Sequence, residues 1–343
     1  MNTSPIPSIN WLKFSIAGLI LGFLTFAGGQ AFFKQYHYNQ GLAAYQQGNC
    51  NQAPDELTTF LQNTTDDDTD EQVIRAKQMQ KECEQSDAIT SSQQTGEFAN
   101  ALASIGKFSA QYPDSALKSH LTPLATNLLT TQPIETLAKP IACQQIEHIK
   151  PLLSPAKAPE FYSACGKTLA ERGEYDKAIA IYENFLNQYP KNKLTHTVKQ
   201  AYAQTLYDQA QAQGAGTIPQ PLESGTTGNN TTQIEIRNDS PEKMRIVFGG
   251  PTPRVEELAA CTKCKKYTGQ PPKACPSQGP VATYTVDPGQ YRIIVKSIGG
   301  STVTPYTGDW ALNNNSFYSH CFFIVSRPLG SLESPDLNNT NTP

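Results

Sequence analysis

The spacing of apolar residues changes its period once along the 343-residue chain. Up to about residue 212, apolar residues recur at helical spacing. From about residue 233 they alternate with polar residues, as in "QIEIRN" and "KMRIVF", which is typical of half-buried strands. The change predicts an α + β multidomain protein, in which a helical part is followed by an antiparallel β-sandwich.

Residues 213–232 lie between the two parts and are rich in Gly, Pro, Thr and Asn without an apolar period. This composition predicts a linker. The β domain is expected over 233–328, with hairpins turning at 287–289 and at 313–315. The tail, 329–343, has no packing pattern and is predicted to be disordered.

A stretch of twenty residues without a charge, Phe14–Phe33, lies near the N-terminus. At 1.5 Å per residue it matches a hydrocarbon core of roughly 30 Å. We predict a transmembrane anchor over 1–34 that contacts the membrane through residues 14–33; a cleaved signal peptide is the alternative. Either interpretation predicts export of residues 35–343. The expected localisation is therefore a single-pass membrane protein, with the bulk of the chain in the periplasm or the thylakoid lumen.

Three stretches of the helical part share one pattern of small and aromatic residues. Each has a glycine, an alanine five residues later and a phenylalanine twelve residues later. The glycine suits a tight turn between helices, the alanine a close helix approach, and the phenylalanine a buried position between hairpins. The three sets are Gly48, Ala53 and Phe60; Gly96, Ala101 and Phe108; and Gly173, Ala178 and Phe185.

This pattern, with "QYP" closing the second and third stretches, resembles the tetratricopeptide repeat. The glycines are irregularly spaced, so the resemblance implies an irregular α-solenoid over 35–212. Solenoids of this type bind a protein partner on a concave face. In the β part, "DPGQYRIIV" is similar to a hairpin of β modules in cyanobacterial and other bacterial envelope proteins. That second resemblance implies no activity.

The eight cysteines divide evenly between the two parts of the chain. An even number in each part favours disulfides within the part. In the helical part, Cys50 with Cys83 and Cys143 with Cys165 are the predicted pairs across adjacent helices. Free cysteines that pack as small apolar side chains are the alternative.

The cysteines of the β part are Cys261, Cys264, Cys275 and Cys321, and three hypotheses compete for them. Four thiolates can complete a zinc site, so zinc is an alternative ligand here. A thioredoxin-like redox pair needs the Cys-x-x-Cys motif at a helix start inside a βαβ unit, and "VEELAACTKC" could form a short helix. The neighbouring lysines favour thiolates in both cases. In an exported domain we favour two disulfides that fasten the 249–280 insertion. Of three connectivities we favour Cys261–Cys275 with Cys264–Cys321.

The sequence contains no recognisable catalytic motif. Its five histidines lie near no nucleophile motif, and a net charge of −3 gives no argument for nucleic-acid binding. Trp310, Tyr306 and Tyr318 can form either a sugar-stacking patch or part of a core. We expect a non-enzymatic, membrane-anchored scaffold or assembly factor. The alternative is an envelope ligand-sensing protein whose β domain binds a glycan or zinc.

Overall fold

The structure is a computed structural model that describes residues 31–64, 69–298 and 303–326. It forms two compact units, Met1–Ala158 and Pro159–Pro343. The division falls inside the predicted helical domain 35–212, because the last three helices belong to the same compact unit as the strands.

The described residues of unit 1 are helical, with short connections. Helix α1 covers residues 31–46, and a short 3₁₀ helix, Lys150–Leu152, closes the unit. The helices between them are α2 Ala53–Gln62, α3 Glu71–Gln94, α4 Phe98–Gln111, α5 Lys118–Thr131, α6 Ile134–Leu137, α7 Pro140–Cys143 and α8 Ile146–Ile149.

Unit 2 begins with three helices and continues with strands. The helices are α9 Lys157–Glu171, α10 Tyr175–Gln188 and α11 Thr195–Ala212. The strands are β1 Gly216–Thr217, β2 Leu222–Thr226, β3 Thr232–Asn238, β4 Lys243–Gly249, β5 Arg254–Leu258, β6 Tyr267–Thr268, β7 Val281–Val286, β8 Gly289–Ile298, β9 Tyr306–Leu312, β10 Ser316–Phe322 and β11 Val325–Ser326.

The repeated glycines make the helix–helix turns that the sequence predicts. Gly48, Gly96 and Gly173 have φ angles of 72°, 80° and 74°, in the left-handed region that favours glycine. They connect α1 to α2, α3 to α4, and α9 to α10. The alanines and phenylalanines of the same pattern are all buried.

Two further glycines allow the paired helices to approach closely. A Cβ added at Gly41 would lie 2.7 Å from Leu57, and one added at Gly166 would lie 2.4 Å from the ring of Tyr182. The middle hairpin has Ile89 at the equivalent position, and that side chain is itself buried. The three hairpins therefore share their turn but differ in how closely their helices approach.

The antiparallel β-sandwich prediction is wrong, because the sheets are small and mixed. One sheet has the order β1-β9-β8-β4-β5, another has β2-β10-β3-β7, and β11 pairs with β6. The pairs β1–β9, β3–β10 and β6–β11 are parallel. Alternation predicts that a segment is a strand but does not specify its neighbours, which explains the error.

Both predicted hairpins are crossings between sheets. The turn at 287–289 connects β7, in the four-stranded sheet, to β8, in the five-stranded sheet. The turn at 313–315 likewise connects β9 to β10, and Asn315 takes a positive φ of 59° there. A hairpin and a crossing have the same alternating pattern on both sides of a turn, so sequence does not distinguish them.

The inner faces of the two larger sheets share one hydrophobic core. Phe248 lies in it, with its ring centroid 5.5 Å from that of Tyr284, 6.4 Å from Tyr291 and 6.5 Å from Trp310. These edge-to-face pairs join strands from both sheets and add to the burial of their surfaces.

The predicted linker, 213–232, is part of the fold. It supplies β1, which pairs with β9, and β2, which pairs with β10. The indole Nε1 of Trp310 also donates to the carbonyl of Pro219 at 2.8 Å. The segment lacks an apolar period because its backbone, more than its side chains, attaches it to the sheets.

Helix α11 packs against strands β4, β5, β8 and β9. Val247 and Ile294 lie on the face of the five-stranded sheet opposite the shared core, since neighbours in a strand alternate. Both are 1% exposed. The helix therefore covers the second face of this sheet, and this packing places α9–α11 in unit 2.

The described residues contain no helix that is both long enough and apolar enough to cross a membrane. The longest of them, α3, has 24 residues but many charged and amide side chains. Residues 1–30, with most of the predicted span 14–33, lie outside the described part, as does the tail 329–343. The finding contradicts the transmembrane element and the single-pass localisation derived from it, and neither is pursued further.

We expect Gly166→Ala to destabilise unit 2 by about 1–3 kcal/mol, because the new methyl group overpacks against the buried Tyr182 ring. Chemical denaturation of the whole chain measures this loss. Gly225→Ala is the matched control, since no atom lies within 4 Å of the added Cβ. It is expected to change stability by less than about 0.5 kcal/mol. Equal stability of the two variants would show that the close approach is wrong.

Candidate functional site

Unit 1 contains an open groove of about 540 Å³. Helix α3 forms one wall, because its residues Glu71, Arg75, Gln78 and Glu82 recur at three- or four-residue spacing and share a face. The end of α1 and residues 111–116, which include the last residue of α4 and the turn after it, complete the groove.

Two local features fix the ends of these elements. The carboxylate of Asp70 accepts a hydrogen bond from the backbone N–H of Gln72 at 2.8 Å and caps the start of α3. Helix α4 ends at Gln111, two residues before Pro113, which cannot continue a helix. The chain therefore turns across the mouth of the groove at this point.

A buried carboxylate lies at the floor of the groove. Glu82 is 1% exposed. Its Oε1 accepts from the amide of Gln78 at 2.7 Å, and its Oε2 accepts from the hydroxyl of Tyr45. Both oxygens have donors, which offsets the cost of burying a polar carboxyl group. Among the described residues no cation forms an ion pair with this carboxylate.

Tyr45 connects the floor to the turn after α4. Its hydroxyl oxygen also lies 2.9 Å from the Oγ of Ser115. Burial, and then the hydrogen bond to Glu82, raise the pKa of Tyr45 to about 12. The phenol therefore remains a neutral hydrogen-bond donor at neutral pH and is a weak base.

The rim of the groove combines charge with one exposed apolar side chain. Ile74 is 49% exposed. Glu71 and Asp114 are exposed carboxylates, and Arg75 is the one basic residue among the groove residues that the structure describes. The exposed rim thus has two carboxylates and one guanidinium, so it carries excess negative charge.

The predicted disulfide between Cys50 and Cys83 is confirmed and supports this site. The two Cα atoms are 5.1 Å apart, and both residues are buried. The bond connects the turn after α1 to α3, next to Glu82. A bridge of this kind contributes roughly 2–4 kcal/mol. It holds together the two helices that carry Tyr45 and the buried carboxylate.

All eight cysteines are disulfide-bonded, including Cys143 and Cys165. The alternative of free buried cysteines is therefore wrong. The sequence identified every residue of this set, because even numbers of cysteines in each part favoured disulfides.

The β-part cysteines form disulfides as predicted, but with a different connectivity. Cys261 pairs with Cys264, and Cys275 pairs with Cys321, at Cα separations of 5.3 Å and 6.0 Å. Strand β5 precedes Cys261, so the helix that a thioredoxin-like motif needs is not formed there. A tight turn then brings the first pair together, with the N–H of Cys264 donating to the carbonyl of Cys261 at 3.2 Å.

The zinc alternative required thiolates at Cys261, Cys264, Cys275 and Cys321, and their sulfurs are occupied by each other. In the part of the chain that the structure describes, no cluster of His, Cys, Asp and Glu side chains has a geometry that could hold a metal ion. With both disulfides formed, none of these four sulfurs is a thiolate that could bind zinc.

The sugar-stacking patch is not formed. Trp310 and Tyr318 are 0% and 3% exposed and belong to the shared core of unit 2, whereas Tyr306 alone of the three is exposed. The core interpretation, which the sequence left open, is correct for the two buried rings.

Unit 2 has a second groove that sequence reasoning missed, with a volume of about 470 Å³. It lies between α11 and the sheet and is lined by amides of Gln200, Gln204 and Gln290 together with Arg292 and Asp309. Arg292 donates to the side chain of Gln204 and lies 5.5 Å from the ring of Tyr207. The groove itself depends on the packing of α11 against the sheet, and no local sequence pattern indicates that packing.

His320 lies at the edge of the shared core. Its ring centroid is 5.5 Å from that of Trp310 and 4.7 Å from that of Phe322. Burial among these rings lowers the pKa of His320 to about 4. The imidazole is therefore neutral in the folded unit at physiological pH.

Comparison with known proteins adds no assignment. No protein-family model matches the chain, and no curated protein shows significant similarity to it. The geometry of the grooves and cysteines therefore carries the functional argument.

We expect Tyr45→Phe to destabilise unit 1 by about 1.5–3 kcal/mol, because the buried carboxylate of Glu82 loses a hydrogen-bond donor. Tyr112→Phe is the matched control, since its partly exposed hydroxyl only accepts from two glutamine amides. Denaturant titration at neutral pH measures both. If the two variants lose the same stability, the Tyr45–Glu82 interaction does not support the groove.

We expect the free energy of unfolding of unit 2 to fall as pH decreases from about 6.5 to about 4. The folded-state pKa of His320, about 4, lies below the ordinary value of 6.5, so the unfolded chain binds more protons in this window. The loss amounts to at most about 3 kcal/mol. His320→Phe should remove this component, whereas His196→Gln, which changes an exposed histidine, should retain it. Identical pH profiles for wild type and His320→Phe would contradict the assignment.

Proposed function

We propose that the protein is a non-enzymatic scaffold that binds a segment of a partner protein in the groove of unit 1. The observation that carries the proposal is an open, acidic groove built over a buried and fully hydrogen-bonded carboxylate, Glu82. The floor is fixed in place, and the rim presents side chains that can contact a ligand. A rigid site of this kind avoids part of the ordering cost of binding.

The chemistry of the groove supports binding over catalysis. The hydroxyl of Ser115 is its one serine nucleophile among the described lining residues, and its neighbour is the phenol of Tyr45. Because its pKa is raised to about 12, Tyr45 is a poor general base at neutral pH. No histidine lines the described groove. The arrangement thus lacks the activated nucleophile that acyl or phosphoryl transfer needs.

The charges on the rim favour one type of partner segment. Glu71 and Asp114 lie on the rim and favour a Lys or Arg side chain, whereas the exposed Ile74 offers contact to an apolar side chain. Each exposed ion pair contributes only about 0.2–1 kcal/mol. We therefore expect the groove to select basic peptide segments with modest affinity, and the binding to weaken with salt.

A second candidate function is ligand binding in the groove of unit 2. Its glutamine amides, Arg292 and Asp309 can donate and accept hydrogen bonds in the manner that a glycan requires. Sugar recognition also uses stacking on an aromatic ring, and no exposed ring is present among the described residues that line this groove. This candidate therefore ranks below peptide binding. A glycan array that binds wild type but not Arg292→Gln would raise it.

A phage-displayed library of random peptides tests the main proposal. We expect purified full-length protein to enrich peptides with Lys or Arg next to an apolar residue. For the enriched peptides, the double variant Glu71→Gln, Asp114→Asn should weaken binding by about 2- to 30-fold, from two lost exposed ion pairs. Fluorescence anisotropy at two salt concentrations measures the change.

The matched control is Glu84→Gln with Glu135→Gln, which removes the same charge at exposed positions of unit 1 outside the groove. This control should bind the peptides as wild type does. An equal loss in both double variants would show a net-charge effect and would reject the groove. Unchanged binding in the groove variant, or enrichment without basic residues, would reject it as well.

A further inference from the structure

The Cys261–Cys264 disulfide closes a much shorter loop of chain than Cys50–Cys83 or Cys275–Cys321 does. Its sequence separation is 3, whereas Cys50–Cys83 and Cys275–Cys321 have separations of 33 and 46. A disulfide restricts the unfolded chain less as its loop becomes shorter. This bond is therefore the least effective of the three as a staple.

One sulfur of this bond belongs to a residue at the surface and the other to a buried residue. Cys261 is 3% exposed, and its N–H donates to the carbonyl of Ser240 at 2.9 Å. Cys264 is partly exposed, and its neighbours Lys263 and Lys265 are exposed. An incoming thiolate therefore has access to the Cys264 side of the bond, while the Cys261 side is anchored to the sheet.

Three lysines surround the accessible sulfur in sequence. Lys266 is paired with Glu242, at 2.5 Å between Nζ and Oε1, and Lys265 lies 5.5 Å from the ring centroid of Tyr267. Lys263 has no ion pair among the described residues. Positive charge near a cysteine favours the thiolate and attracts an incoming thiolate. The turn therefore provides an electropositive, partly exposed setting of the kind in which reactive cysteines occur.

We propose that the Cys261–Cys264 disulfide is a thiol–disulfide exchange site that oxidises a dithiol on a protein partner. A partner thiolate attacks Sγ of Cys264, which forms a mixed disulfide and releases the Cys261 thiolate to take up a proton. The second thiolate of the partner then attacks the partner sulfur that is bonded to Cys264 in the mixed disulfide. The partner disulfide closes, Cys264 leaves as a thiolate, and two electrons have passed to this chain.

Graded reduction of the full-length protein tests the proposal. The protein is equilibrated with mixtures of oxidised and reduced dithiothreitol, alkylated, and mapped by mass spectrometry. We expect Cys261–Cys264 to open at an oxidised-to-reduced ratio at least about tenfold higher than Cys50–Cys83 or Cys275–Cys321. Unit 2 should remain folded, by near-UV circular dichroism, when only this bond is open.

The lysines are tested in a Cys261→Ser background, which leaves Cys264 as a free thiol. Its reaction with an aromatic disulfide reagent should slow several-fold at neutral pH in Lys263→Gln, Lys265→Gln, with the pH midpoint shifted upward. Lys273→Gln, a change near Cys275, is the matched control and should have no effect. A structural role would leave this rate and its midpoint unchanged.

Three results would overturn the proposal. The first is reduction of Cys261–Cys264 together with, or after, the exposed Cys275–Cys321 bond. The second is loss of the folded unit 2 when Cys261–Cys264 alone opens, which would identify a structural staple. The third is a Cys264 reaction rate that is independent of the lysines. None of these results bears on peptide binding by the groove of unit 1.

Discussion

The groove of unit 1 depends on the burial of one carboxylate. A carboxyl side chain at 1% exposure is tolerated only where its oxygens have hydrogen-bond donors, and Gln78 and Tyr45 provide them from α3 and α1. The two helices must therefore hold a fixed separation, which the Cys50–Cys83 disulfide also requires. The hydrogen bonds to Glu82 and the Cys50–Cys83 disulfide therefore constrain the same pair of helices. The open surface above them is consequently a property of a rigid frame and not of a flexible loop.

A sheet with two apolar faces sets the organisation of unit 2 in a comparable way. One face of the five-stranded sheet meets the four-stranded sheet in the shared core, and the other would expose Val247 and Ile294 to water. Helix α11 removes that surface from solvent. Composition suggested a boundary near residue 213, where the helical period ends. The compact unit begins at Pro159 because apolar surface, and not a change in secondary structure, decides which elements fold together.

Local features of this fold were predictable from the sequence. The pairing of strands and of cysteines, which depends on contacts between distant residues, was not. The turn glycines, the buried alanines and phenylalanines, and the strands themselves follow from chirality and periodicity, which operate over a few residues. Parallel pairing of β3 with β10, the crossings between sheets and the pairing of Cys261 with Cys264 depend on contacts across the whole unit. The groove was missed for the same reason, since Tyr45, Glu82 and Ser115 lie far apart in the chain. A lone buried glutamate has no signature in a helix that is otherwise polar.

The cysteines show how a chain of only 38% hydrophobic residues can maintain two folded units. Long-range bridges such as Cys50–Cys83 and Cys275–Cys321 restrict the conformations of the unfolded chain and so add to the stability that apolar burial provides. A disulfide with a sequence separation of 3 restricts the unfolded chain very little, so stability alone does not account for Cys261–Cys264. Stability likewise does not account for the exposed Ile74 and the acidic rim above Glu82. The proposals of peptide binding and thiol–disulfide exchange rest on these two features, because proteins accept local departures of this kind mainly at functional sites.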